Sequence, residues 1–79
     1  MYYLVVKRMD AGPGARCLVA PFEYEGRQEA RAIQRASEGS GIYVAIASNV
    51  SDVYGEYANH DEISLEELKA VLSGWGLQL

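Results

Sequence analysis

The 79-residue chain has one cysteine, one histidine and no long apolar run, and these scarcities exclude whole classes of protein. A single thiol, Cys17, cannot form an internal disulfide, and a free thiol is tolerated best in a reducing compartment. The N-terminal apolar run ends at Lys7 and Arg8 after five residues, which is too short for a secretory signal. No stretch approaches the roughly 20 apolar residues that cross a bilayer. We therefore expect a cytoplasmic protein that does not enter a membrane.

Catalytic and metal-binding motifs are also missing from the sequence. Cys17 falls in a predicted strand and His60 in a predicted distant loop, so a buried structural thiol is a simpler interpretation than a Cys–His dyad. His60 lies near Glu56, Asp61 and Glu62, but these residues lack a recurrent metal-ligand spacing. The sequence predicts no catalytic residue, no metal and no cofactor, and hence a protein that is not an enzyme.

What the chain does contain is ordinary for a folded domain. Apolar residues make up 49% and charged residues 23% of the sequence, which argues against disorder. A chain of this length supports one hydrophobic core. We predict a single domain over residues 1–79.

Residue patterns predict a first strand over 2–9 and a second over 16–22, a helix over 27–38, a third strand over 41–48 and a second helix from Ser64. A short extra strand is expected around 53–57. The order ββαβα predicts an α+β fold: a mainly antiparallel sheet of three to four strands with two helices on one side.

Three features of the sequence make the predicted fold more specific. The strand over 41–48 is apolar on both alternating faces, which predicts a strand buried inside the sheet. Ser64 and Glu67 have capping-box spacing, and Gly74 is the expected residue after the end of the second helix. The expected core contains five apolar side chains: Ile33, Val44, Ile46, Leu68 and Leu72.

Charge is distributed unevenly along the chain. Residues 1–40 carry six basic and five acidic groups, whereas residues 41–79 carry one basic and six acidic groups. Two of these acids, Glu66 and Glu67, fall in the first turn of the second helix, where carboxylates stabilise the N-terminus. The other four fall in the predicted loop before that helix, beside two tyrosines suited to interfaces. The candidate partner-binding residues are Asp52, Tyr54, Glu56, Tyr57, Asp61 and Glu62.

This acidic segment has two interpretations. It is either a solvated loop that keeps the protein soluble or a surface that binds a basic partner. Direct binding of nucleic acid is not expected, because the net charge of −4 repels phosphate.

Arg27, Arg31 and Arg35 recur every four residues and should form one stripe along the first helix. One interpretation pairs them with Glu23 and Glu38 as a screened surface array. The other makes the stripe an interface for an acidic surface or for phosphates.

In size, acidity and lack of a catalytic motif, a chain with its carboxylates gathered on DVYGEYANHDE resembles the small phage-encoded anti-CRISPR proteins. The resemblance implies an inhibitor in the host bacterial cytoplasm whose acidic surface acts as a DNA mimic. Such a protein would dock on the basic nucleic-acid-binding surface of a CRISPR–Cas effector complex and block target DNA. The alternative is a cellular assembly or regulatory module that self-associates through complementary charged faces, so that monomer and homodimer both stay open. A third class, a small enzyme, requires Cys17 and His60 to meet.

Overall fold

A computed structural model describes residues 1–11, 16–48 and 60–79. Its regular elements form a four-stranded sheet with two helices. They are β1 (Tyr2–Arg8), β2 (Cys17–Phe22), α1 (Arg27–Ala36), β3 (Ile42–Ala47), β4 (His60–Glu62) and α2 (Leu65–Gly74). The α+β class is confirmed, with the element order ββαββα in place of ββαβα.

The strand order is β3-β1-β2-β4. β1 is antiparallel to both β2 and β3, whereas β4 is parallel to β2. The prediction that the third strand lies inside the sheet is wrong, because among the described strands β3 is an outer one and β1 lies between β2 and β3. β1 takes that place through its run Leu4-Val5-Val6, in which all three residues are fully buried and both strand faces are therefore apolar.

Both helices pack on one face of the sheet. The cluster there joins Leu4 and Val6 of the central strand to Ile33 of α1 and to Leu68 and Leu72 of α2. The opposite face has a smaller buried cluster of four residues: Val5, Cys17, Val19 and Ala47. The sheet thus buries apolar side chains on both of its faces.

The predicted core is confirmed at four of five positions. Ile33, Val44, Leu68 and Leu72 are buried, whereas Ile46 is only partly buried against the same cluster. Ile46 lies on the outer strand β3, where a neighbouring strand is present on one side only among the described residues.

Local signals position the ends of α2. Ser64 is the N-cap, and its side chain accepts a hydrogen bond from the Glu67 backbone N–H at 3.1 Å. At the other end, Leu77 N–H bonds to Leu72 C=O and Gly76 N–H to Ser73 C=O, both at 3.0 Å. These two bonds form a Schellman motif. Its left-handed residue is Gly76, with φ +95°, so the prediction of Gly74 for this position is wrong.

The predicted extra strand at 53–57 lies outside the described residues. Within the described part of the chain, neither helix is long and apolar enough to cross a membrane.

Candidate functional site

Two of the six predicted partner-binding residues, Asp61 and Glu62, lie on β4. The expectation that they occupy a loop is wrong. The sequence HDE has no strand pattern of its own, but its backbone pairs in register with Cys17–Val19 of β2, and the next residue, Ile63, donates to Val19 C=O at 2.9 Å. The other four, Asp52, Tyr54, Glu56 and Tyr57, lie outside the described residues.

Asp61 already has a basic partner. Arg16 Nε donates to Asp61 Oδ2 at 3.0 Å, and the same guanidinium donates to the His60 carbonyl at 3.0 Å. The hydrogen bond to Asp61 raises the pKa of Arg16. This contact spans 45 residues of sequence and ties β4 to the start of β2. It also neutralises part of the charge that Asp61 would offer to a partner.

Glu62, Glu66 and Glu67 continue the negative charge from β4 into the first turn of α2, and all three are exposed. Glu67 accepts a hydrogen bond from the Ser64 hydroxyl at 3.3 Å. Lys69 contacts Glu66 at 3.1 Å and Glu29 of α1 at 2.7 Å; hydrogen bonding to Glu29 and then Glu66 raises the pKa of Lys69.

We call the carboxylates of β4 and the first turn of α2 the acidic edge; they are Asp61, Glu62, Glu66 and Glu67. Asp61 pairs with Leu18 and Glu62 with Val19, so the Asp61 and Glu62 side chains lie on opposite faces of the sheet. Within the described residues, Glu62 and Glu67 make no ion pair. Glu67 is partly committed to the helix cap, so Glu62 is the carboxylate most available to a partner.

The arginine stripe, Arg27, Arg31 and Arg35, lies along α1 as predicted. Arg27 stacks over the Tyr24 ring at 3.7 Å from its centroid and donates to the Tyr24 carbonyl at 3.2 Å. Arg31 and Arg35 are exposed, and neither side chain makes an ion pair or hydrogen bond with any described residue. The expected pairing with Glu23 and Glu38 is therefore not seen in the part of the chain that the structure describes.

The stripe lies on α1, and the acidic edge lies on β4 and the first turn of α2. α1 packs against β3 and α2 against β2, and β3 and β4 are the outer strands of the part of the sheet that the structure describes. Around α1, Glu29 lies on the flank that reaches Lys69 of α2. At 100° per residue, the arginines fall on the other flank. The arginines therefore face away from α2, whereas Glu66 shares Lys69 with Glu29 of α1.

A second constellation crosses the sheet on the face opposite the helices. Cys17 of β2 is the register partner of His60 of β4, so their side chains share this face. Continuing the β1–β2 register places Lys7 beside Cys17, and Lys7 itself pairs with Tyr43 of β3. The structure thus brings together the one cysteine and one histidine that the sequence had placed apart. The expectation of a distant loop for His60 is wrong.

Burial limits the chemistry that Cys17 can perform in this constellation. Cys17 is 4% exposed, and desolvation raises the pKa of its thiol although the positive charge of Lys7 opposes that change. A protonated, buried thiol is a weak nucleophile. Across the described ranges, no group of three or more His, Cys, Asp or Glu is arranged to hold a metal ion.

Comparison with protein-family models, with curated proteins and with solved structures found no match to the chain.

Proposed function

We propose that this chain is a cytoplasmic binding protein without catalytic activity. Its acidic edge, together with the preceding segment that begins at Asp52, docks on a basic surface of a larger nucleic-acid-handling complex. Docking there would exclude the nucleic acid that the basic surface holds. The observation that carries the proposal is the acidic edge itself, in which Glu62 is exposed and makes no ion pair with any described residue. Separation of the two charge types lets a basic surface approach the acidic edge without meeting the arginines.

A CRISPR–Cas effector complex is the first partner to test. The resemblance in size and acidity to phage-encoded anti-CRISPR proteins supports this choice, and such complexes hold target DNA on basic surfaces. Electrostatic docking accelerates association by roughly 10- to 1,000-fold and weakens as salt is raised.

The test measures the association rate of the protein with guide-loaded effector complexes and the loss of their target-DNA binding. Glu62→Lys alone and with Glu56→Lys should lower the association rate by roughly tenfold or more. Glu25→Lys is a matched control, because Glu25 is also exposed and its reversal changes the net charge equally at a different place. Circular dichroism confirms that each variant is folded.

Two outcomes would overturn this proposal. In one, Glu62 and Glu56 reversals bind and inhibit like the wild type, or Glu25→Lys is equally harmful. In the other, a well-folded His60→Ala variant binds normally but loses biological activity, which would point to chemistry at the Cys17–His60 pair.

A further inference from the structure

The arginine stripe has no role in the function proposed above, yet its Arg31 and Arg35 side chains are exposed to solvent. We propose that copies of this chain associate head to tail, the arginine stripe of one copy contacting the acidic edge of the next. Three of the seven basic residues, Arg8, Arg16 and Lys69, form ion pairs within the chain. The stripe contributes three others that form none with described residues.

The stripe is partly organised before any contact is made. Phe22 of the core stacks on Tyr2 with ring centroids 5.7 Å apart, Tyr2 lies 6.2 Å from Tyr24, and Tyr24 supports Arg27. Tyr24 remains 54% exposed. Tyrosine and arginine are enriched among the residues that dominate interface energetics. An ordered Tyr24–Arg27 pair loses less side-chain freedom on binding than a flexible pair would.

Opposite charge selects the acidic edge of a second copy as the occupant. Four residues of helix advance about 6 Å, so the stripe presents guanidinium groups along about 12 Å of α1. Glu62, Glu66 and Glu67 run from the end of β4 into the first turn of α2 and offer carboxylates to it. Nucleic acid is disfavoured as the occupant because the net charge is −4 and phosphate binding requires a basic surplus.

The contact passes through side chains rather than through added strand pairing. In the β1–β3 register, Met9 N–H bonds to Gly41 C=O, so the backbone groups of Ile42 and Val44 point away from β1. Ser40 Oγ accepts from Ile42 N–H and Gln34 donates to Val44 C=O, both at 3.2 Å. These two side chains cover part of the β3 edge and hinder another strand from pairing there.

A head-to-tail contact is heterologous, so it builds rings or open chains. It also occupies the acidic edge, so self-association and docking on a basic partner compete. The inference goes beyond the proposed function and stands without it.

A charge-swap experiment tests the inference. One variant carries Arg31→Glu and Arg35→Glu, and the other carries Glu62→Arg and Glu66→Arg. Each variant alone has two like-charged surfaces, whereas an equimolar mixture restores opposite charges at every contact. Sedimentation velocity follows the wild type, each variant and the mixture up to about 1 mM protein, the range of weak affinities, at about 0.05 M and about 0.5 M salt.

We expect the wild type to self-associate at low salt, with an association constant that falls roughly tenfold or more at high salt. Each variant should be monomeric, and the mixture should associate. A monomeric wild type overturns the inference, as does a mixture that stays monomeric or an association that survives both reversals. Glu62→Gln with Glu66→Gln replaces the second variant if the latter fails to fold, and it should weaken self-association.

The two proposals can fail separately. The Arg31→Glu, Arg35→Glu variant should still dock on a basic partner, because its acidic edge is intact. Loss of self-association with retained docking therefore supports both.

Discussion

At the residue scale, the position of Cys17 decides its chemistry. The thiol lies in the cluster with Val5, Val19 and Ala47 on the face opposite the helices, in register with His60. Proximity to a histidine would favour a reactive thiolate, but burial acts in the other direction and raises the pKa of the thiol. We therefore interpret Cys17 as a packing residue.

This interpretation predicts a pH dependence of stability. A thiol in the unfolded chain has a pKa of about 8.5, and the folded-state pKa is higher. Below the pKa of the unfolded state, the thiol is protonated in both the folded and the unfolded chain. Cys17 then makes its full contribution to the free energy of unfolding. As pH rises towards the folded pKa, the unfolded chain releases a proton that the folded chain retains, and the free energy of unfolding falls.

Urea unfolding of the wild type and of Cys17→Ala measures this effect. The stability difference between the two proteins should shrink between about pH 7 and about pH 10, on either side of the unfolded thiol pKa. A difference that stays constant over this range would mean that burial does not shift the titration of Cys17.

At the element scale, the two ends of α2 depend on different kinds of information. Ser64 caps the helix through a bond to a residue three positions away, a local pattern that the sequence displays. The C-terminal stop requires a residue at φ +95°, and two glycines, Gly74 and Gly76, were available. The helix continues through Gly74 because Leu77 then reaches the core, where it is buried.

These two glycines make a matched pair of substitutions. A Cβ added at either position meets no atom within 4 Å, so only backbone conformation distinguishes them. Gly76→Ala should cost about 1–2 kcal/mol because it forces a left-handed conformation on alanine. Gly74→Ala should be neutral or stabilise α2 by up to about 1 kcal/mol. Thermal unfolding of both variants checks this, and equal effects would contradict the assignment of Gly76 as the stop.

At the scale of the whole molecule, β1 joins two apolar clusters, one on each face of the sheet. Leu4 and Val6 belong to the cluster under the helices and Val5 to the other. Loss of either cluster exposes one face of the same central strand. We therefore expect the described elements to unfold together.

Leu68→Ala tests this cooperativity. The side chain is fully buried, so its truncation should cost roughly 2–5 kcal/mol. Far-ultraviolet circular dichroism and the fluorescence of Trp75 should report the same shifted midpoint if unfolding is two-state. A negligible change would remove α2 from the core, and two separate midpoints would show that the clusters unfold independently.

The sequence by itself determined the features that depend on neighbours a few residues away. It placed three of the four strands and both helices to within about two residues at their ends, as expected for boundaries that fray. It identified the Ser64 cap and the arginine stripe, and it placed four of the five predicted core residues correctly. Alternation, helix propensity and capping are local interactions, so the residue pattern alone reveals them.

Only the tertiary structure decided the strand order, the pairing of β4 and the ion-pair partners of the charged side chains. The run from Ile42 to Ala47 is as apolar as an inner strand, yet β1 lies between β2 and β3, with Leu4, Val5 and Val6 fully buried. The polar sequence His60-Asp61-Glu62 becomes a strand because its backbone pairs with β2 and the Arg16 side chain donates hydrogen bonds to it. Such contacts join residues tens of positions apart, and their free energy depends on the whole packed arrangement, which no local pattern encodes.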